Sequence, residues 1–178
     1  MRIISGTLRG KTIVPPHCFA ARPTTDFAKE SLFNILENRY DYSEVEVLDL
    51  FSGTGNISYE MASRGCPRID AVEMNTQSAA FIKKTAQSLK LLQIHAIRMN
   101  VFDFLEICTA RYDIIFADPP YDLQGIENLP QSIMAKKMLK EGGCFILEHG
   151  ANYDFSKNPN FLEHRKYGTV NFSFFKEI

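Results

Sequence analysis

The sequence predicts an α/β fold: a doubly wound, mostly parallel sheet. A small N-terminal hairpin and helix precede it, and an antiparallel hairpin closes it at the C-terminus. Three observations predict this. Short apolar strands alternate with helical patterns from Val45 to Glu148, the rhythm of strand–helix–strand units. Ile114, Ile115, Phe116 and Ala117 form an unbroken apolar run, as expected of a parallel strand covered on both faces. The tail then breaks the rhythm with two strand-like stretches about Gly168.

The elements follow in order. Residues 2–14 alternate loosely, with turn signals at Gly6 and Gly10, and read as a hairpin ended by Pro15-Pro16. Over 25–39, Ala28, Leu32, Phe33, Ile35 and Leu36 recur at helical spacing behind the caps Thr24, Thr25 and Asp26. Val45–Phe51 is a strand ending in a glycine turn, followed by a helix through about Arg64. Ile69–Glu73 is a second strand and Thr76–Leu91 a long helix. His95–Met99 is a third strand, with a short helix near 102–109. Asp113–Ala117 is the fourth. A helix near 130–140 is expected to stop at Gly142-Gly143, before a fifth strand over Cys144–Glu148. Leu162–Tyr167 and Val170–Phe175 form the closing hairpin.

The 178 residues suit one domain, with 1–40 as an extension of the body formed by 41–178. At 45% hydrophobic and 23% charged, the chain is neither disordered nor collagen-like. No apolar run approaches the roughly 20 residues of a membrane span. Met1–Gly6 has no apolar leader core, so a cytoplasmic protein with no membrane partner is expected. Cys18, Cys66, Cys108 and Cys144 are widely spaced, so reduced thiols and no metal site are expected. Net charge is −1, yet residues 1–25 hold Arg2, Arg9, Lys11 and Arg22 and no acid. That arm carries +4 and the other 153 residues carry −5. Such an arm suits either a phosphate backbone or a plain solvated hairpin.

In open α/β sheets ligands bind beyond the carboxyl ends of the strands, near the switch in strand order. Signals stand at four strand ends. The first reads Asp49-Leu50-Phe51-Ser52-Gly53-Thr54-Gly55. Its glycines let a backbone approach a ligand at a helix N-terminus. Ser58 stands where a dinucleotide fingerprint wants a third glycine. Asp49 suits a cationic ligand, or else caps the turn. The second strand ends at Glu73, about 20 residues past the glycine turn, where an acid can accept both ribose hydroxyls. Met74 follows, to pack on a base or in the core. Asn100-Val101 follows the third strand. The Asn100 oxygen can accept from an adenine amine and the Val101 N–H can donate to a ring nitrogen, or Asn100 can cap the next helix. The fourth end, Asp118-Pro119-Pro120-Tyr121, is the most specific. The prolines fix the backbone and remove competing donors. Asp118 and the Pro119 carbonyl become fixed acceptors and Tyr121 a stacking face, which is what a planar base with an exocyclic amine needs.

The Asp-Pro-Pro-Tyr element, together with Asp49–Gly55, resembles the amino-methyltransferases that use S-adenosylmethionine. Arg2-Ile3-Ile4-Ser5-Gly6, Arg9-Gly10-Lys11, Arg22-Pro23-Thr24-Thr25-Asp26 and Leu32-Phe33-Asn34-Ile35-Leu36 resemble the RsmD family. Its members methylate a guanine N2 amine in small-subunit ribosomal RNA. Ser63-Arg64-Gly65, Val72-Glu73-Met74 and the Tyr167-Gly168 turn fit as well. The resemblance spans essentially the whole chain. It departs at Phe27, where the family often has a basic residue.

The resemblance implies a Rossmann-like class I methyltransferase sheet. Asp49, Phe51, Ser52, Gly53 and Gly55 would line the methionine side of S-adenosylmethionine, Glu73 the ribose, and Met74, Asn100 and Val101 the adenine. Asp118, Pro119, Pro120 and Tyr121 would hold the target amine and base. Arg22, Thr24 and Thr25 would close over the site, with Arg2, Arg9 and Lys11 on RNA. The expected partner is ribosomal RNA or the small subunit, and the expected state a monomer. Alternatives are a DNA adenine-N6 methyltransferase, for whose sequence-reading insertion 178 residues leave no room, and a catalytically idle RNA-binding assembly factor. A nicotinamide dehydrogenase is disfavoured by Ser58.

Overall fold

The structure, a computed structural model, describes residues 1–16 and 25–177. Its seven-stranded sheet runs in the order β3-β2-β1-β4-β5-β7-β6. The strands are β1 (Glu46–Leu50), β2 (Arg68–Glu73), β3 (Ile94–Arg98), β4 (Tyr112–Ala117), β5 (Leu139–His149), β6 (Phe161–Tyr167) and β7 (Val170–Phe175). The pairs among β1 to β5 are parallel. The pairs β5–β7 and β6–β7 are antiparallel. The chain builds outward from β1 to β3, then crosses back to lay β4 on the other side of β1. That reversal opens a crevice at the carboxyl ends of β1 and β4.

Alternation along the strands divides the core in two. Val47, Ile114, Phe116, Ile146 and Phe172 point into one layer. Leu48, Leu50, Ile115, Ala117 and Leu147 point into the other. The first layer is covered by α1 (Asp26–Glu37), α2 (Asn56–Arg64) and α3 (Thr76–Ser88), through Leu32, Phe33, Ile57, Tyr59 and Ile82. The second is covered by α4 (Val101–Ile107) and α5 (Leu129–Ala135), through Val101, Phe104, Leu129 and Ile133. Two covered faces explain why β4 is apolar from Ile114 to Ala117.

Helix α1 begins where its sequence predicts, with the Thr25 hydroxyl accepting from the Ala28 N–H at 3.2 Å. The expected helix near 130–140 is shorter. It stops at Ala135, and β5 already starts at Leu139. Lys137 turns left-handed (φ 51°) and brings the Met138 N–H back to the Ile133 carbonyl at 3.2 Å. This buries Met138 and Leu139 beside the start of β4. The Gly142-Gly143 pair therefore marks an irregularity inside β5, where the register with β4 shifts between Tyr112 and Ile114. A Cβ at Gly143 would lie 2.9 Å from the Lys140 carbonyl oxygen, so glycine permits the close approach.

The N-terminal hairpin pairs through one bridge, Arg2 with Thr12, and packs Ile3 and Ile13 into the first layer. Its position is set by α2. Both oxygens of the fully buried Glu60 accept backbone N–H groups, from Ile4 at 2.8 Å and Ser5 at 3.0 Å. Glu60 also meets the Lys29 ammonium at 3.4 Å and Arg64 Nε at 3.0 Å. Lys29 Nζ donates to the Arg2 carbonyl at 2.5 Å and to Asn56 Oδ1 at 3.0 Å. Burial depresses the Lys29 pKa and Glu60 opposes that shift. At the far end of α2, Gly6 (φ +80°) comes so close that a Cβ would fall 1.8 Å from the Ser63 carbonyl oxygen.

Glu60→Ala strands the buried Lys29 and orphans two N–H groups. It is expected to lower the unfolding free energy by about 3–5 kcal/mol, read by urea denaturation. A loss below about 1 kcal/mol, the size of a surface ion pair, would show that the joint is dispensable.

Candidate active site

The turn after β1 is tightly wound. Phe51 adopts a left-handed φ of 58°, uncommon for a bulky residue. Ser52 Oγ donates to the Asp49 carbonyl at 2.6 Å and the Ser52 N–H to the Val72 carbonyl at 3.0 Å. Gly55 (φ +87°) then opens α2, and a Cβ there would meet Tyr59 Cζ at 2.8 Å. A Cβ at Gly53 would meet nothing nearer than 4.0 Å, so the space above the turn is open. Glu73 holds the turn from β2: its Oε2 accepts the Gly53 N–H at 2.9 Å and its Oε1 the Asn75 N–H at 2.7 Å.

Asp49 lies beneath this turn, 2% exposed. Its Oδ2 accepts from Ser58 Oγ at 2.5 Å. Ser58, which breaks the dinucleotide fingerprint, is therefore the partner that holds Asp49 at the start of α2. The Asp49 carboxyl is thus engaged by Ser58 in the first turn of α2, whose N-cap is Gly55. Burial pushes its carboxyl up to about 7, against the pull of its hydrogen bonds to Ser58.

Beyond β2 and β3, Met74 is 63% exposed, and Asn100 Nδ2 lies 3.5 Å from its sulfur. Asn100 Oδ1 accepts the Phe102 N–H at 2.8 Å, so Asn100 caps α4. Val101, buried, is the first residue of that helix, where a backbone N–H has no intrahelical acceptor. Phe102 is exposed and meets Phe51 edge-on at 6.4 Å. Sequence reasoning missed Phe102. Its signal was an aromatic two residues past a capping Asn, outside the helix's buried stripe.

At the end of β4 the Asp118 N–H reaches the Leu50 carbonyl at 3.4 Å, which ties this loop to the β1 turn. Asp118 is half-buried, Pro119 buried, and Pro120 and Tyr121 exposed. A turn returns the Leu123 N–H to the Pro120 carbonyl at 3.0 Å. Burial, with Glu148 and then Asp49 nearby, pushes the Asp118 carboxyl well above its usual range. Glu148, 3% exposed at the end of β5, is a second residue the sequence reading passed over. The strand-end rule that picked out Asp49, Glu73 and Asp118 points to it equally.

Arg2, Arg9 and Lys11 are exposed. Arg2 lies at the mouth of the site, linked to Asn56 through Lys29 and 3.8 Å from Asp26. Arg9 lies in the turn at the other end of α2, beside Ser63. Thr25 caps α1. Arg22 and Thr24, like His17 and Cys18, fall outside the described residues.

A family described as "Conserved hypothetical protein 95" matches residues 1–176. The chain belongs to this family. Among relatives in it, "Ribosomal RNA small subunit methyltransferase D" of Buchnera aphidicola subsp. Baizongia pistaciae is 30% identical over 148 residues, 83% of this chain and 75% of that protein. The solved structure of a hypothetical protein from Thermus thermophilus superposes with a TM-score of 0.87 at 26% identity, covering 99% of each chain. The fold is also shared more distantly. The 16S rRNA N2 G1207 methyltransferase RsmC of T. thermophilus, solved with AdoMet and guanosine, matches with a TM-score of 0.70 at 21% identity, covering 90% of this chain and 45% of that one. The chain thus has the Rossmann-like class I methyltransferase fold that the family resemblance implies.

The buried Asp49 makes stability depend on pH in a direction opposite to that of a salt-bridged acid. The unfolded carboxyl ionises near about 4, the folded one near about 7. Between those values the folded state holds an extra proton, so this group's contribution to stability falls as pH rises, then levels off. Asp49→Asn removes the titrating group. Urea denaturation from about pH 4 to pH 8 should show the Asn variant gaining on the parent through that window. A pH-independent difference would overturn the assignment.

Proposed function

We propose that this chain transfers a methyl group from S-adenosylmethionine to the exocyclic N2 amine of a guanine in small-subunit ribosomal RNA. The observation that carries this reading is the tie between Asp118 and Leu50. It sets the Asp-Pro-Pro-Tyr loop directly beside the open glycine turn, so a donor on β1 and an amine on β4 meet. The names of the relatives support the RNA substrate, and the guanosine and AdoMet bound by the structural neighbour support the reactants.

The residues fit the cofactor. Gly53 leaves room above the turn. Glu73 keeps a lone pair on each anchored oxygen for ribose hydroxyls. Met74 and Phe102 expose apolar surface near Asn100, suited to a planar base, and Val101 supplies an N–H with no intrahelical acceptor. Among the described residues, Asp49, Glu73, Asp118 and Glu148 line this edge with oxygen acceptors, which suits a positively charged ligand. When bound, S-adenosylmethionine supplies a methyl activated on a sulfonium.

The chain's own work is positioning. The lone pair of an aromatic amine is delocalised into the ring, so it is a poor nucleophile. Asp118 and the Pro119 carbonyl draw its N–H bonds out of plane and aim the lone pair at the turn. Tyr121 offers a stacking face for the unstacked base. This is orientation and electrostatic preorganisation, with the target base extruded or already in a loop. Arg2, Arg9 and Lys11 of the N-terminal hairpin meet the phosphate backbone.

Glu73→Ala should weaken S-adenosylmethionine binding by about 1.5–3 kcal/mol, the range for charge-assisted hydrogen bonds. Titration calorimetry on a folded variant measures it, and unchanged affinity would remove Glu73 from the site. Asp118→Ala should lose about 10²–10³ in kcat, as for removal of one preorganised partner. Asp118→Asn keeps an oxygen in place and should retain more. Single-turnover methylation of small-subunit RNA compares the two. Equal, complete loss with normal cofactor binding would instead demand an obligatory charge.

A further inference from the structure

Glu148 has no part in the mechanism above, yet its position bears directly on Asp118. The register pairs Ala117 of β4 with Leu147 of β5, which puts Asp118 and Glu148 on the next rung. Neighbouring strands lie about 4.8 Å apart. Phe116 and Ile146 face the first core layer, Ala117 and Leu147 the second. Alternation returns both acids to the first face. Asp49, paired with Phe116, lies on that face one pleat below. Like-charged carboxylates this close and this buried do not all ionise together.

The loop has a second property. Pro119 and Pro120 carry no N–H, so their backbone supplies acceptors alone. On a guanine, the N2 amine has a donor, N1–H, on one side and an acceptor, N3, on the other. An ionised Asp118 offers two acceptors and matches the N1–H and N2–H edge. A neutral Asp118 offers an acceptor and a donor and matches the N2–H and N3 edge.

We propose that Asp118 acts as a neutral acid, kept protonated by the buried Glu148 beside it, and reads the target guanine at its N2–N3 edge. Its carbonyl oxygen accepts from the amine and its hydroxyl donates to N3. This deepens the guanine-N2 reading above and rests on it. The high pKa of Asp118, caused first by burial and next by Glu148, agrees. The charged groups bearing on Asp118 among the described residues are Glu148 from β5 and Asp49 from β1. Lys29, on the same face, is engaged by Arg2, Asn56 and Glu60.

The transfer then balances without a separate base. The N–CH3 bond forms as the sulfonium S–CH3 bond breaks, leaving a neutral thioether and a positive charge on the base. The N2 proton passes to the Asp118 carbonyl oxygen while the Asp118 hydroxyl proton passes to N3. Asp118 ends neutral, and the base gives its extra proton to water on release.

Small-subunit RNA carrying 3-deazaguanine at the modified position tests this in single-turnover methylation. It should react about tenfold more slowly than the guanine RNA, the size of one lost hydrogen bond, while 1-methylguanine should react nearly as guanine does. Equal rates for guanine and 3-deazaguanine would overturn the proposal. So would loss confined to 1-methylguanine. Wild-type rates should fall as pH rises through the ionisation of Asp118. In Glu148→Gln that fall should move to lower pH, and in Asp118→Asn it should vanish. Superimposed profiles for wild type and a folded Glu148→Gln would remove Glu148 from the role. If that variant does not fold, the base analogues with wild-type protein decide alone. No methylation of the natural guanine RNA is a different result, and overturns the underlying function instead.

Discussion

The carboxylate of Glu60 joins pieces of chain that the sheet alone would leave apart. It has no surface of its own. Its two oxygens hold the backbone of Ile4 and Ser5, the ammonium of Lys29 on α1 and the guanidinium of Arg64 on its own helix. Lys29 passes the connection on to Asn56, the first residue after the glycine turn. The arm, α1 and the start of α2 are therefore fixed as one body. Replacing a buried ion pair by apolar side chains is often neutral for stability. What a leucine in place of Glu60 would lose is direction. It could fill the volume but could not order two N–H groups and an ammonium around one point. The glycine turn, with its left-handed Phe51, Gly53 and Gly55, has a fixed floor because of that joint.

Most of the fold was legible because the sheet's periodicity is strong where both faces are covered. The first four strands and the closing hairpin begin and end within a residue or two of where their apolar runs predict. The failure at β5 is instructive. Gly142-Gly143 has the look of a helix end, and glycine after a helix is common. Here the helix had already closed through Lys137, and the glycines serve a close backbone approach within the strand. Local composition does not distinguish these cases. The distance from Gly143 to the Tyr112 carbonyl does, and no sequence states it.

The site was legible unevenly for a related reason. The strand-end rule found Asp49, Glu73, Asn100 and Asp118, since each follows an apolar run. It left open what their side chains do. Asp49 and Asn100 are both committed to the first turns of helices, α2 and α4. Asp and Asn are favoured there for the same acceptor atoms that would bind a ligand. Glu73 differs, for it anchors the turn with both oxygens and still faces the open side. Glu148 escaped because it was counted as the last residue of a strand, though the same rule applies at its carboxyl end.

The placing of charge follows from what the proposed reaction must hold together. A sulfonium cofactor is cationic and the RNA is a polyanion. Acids stand at the carboxyl ends of β1, β2, β4 and β5. The exposed cations of the arm lie along the outer side of α2, from Arg2 at the mouth to Arg9 at the far end. Screening limits such charges to a range of about 8–10 Å at physiological salt. Phosphates can therefore be drawn to the arm without being repelled from the whole molecule by the acidic edge. The edge, for its part, disfavours phosphates and admits a base that has left its backbone behind. A neutral Asp118 sharpens that sorting, because it lowers the negative charge at the one point where the base must enter, while Glu73 stands apart at the end of β2 for the cofactor. The two tasks need opposite fields. The Glu60 joint, which holds arm and turn at a fixed separation, lets the arm and the sheet edge supply both.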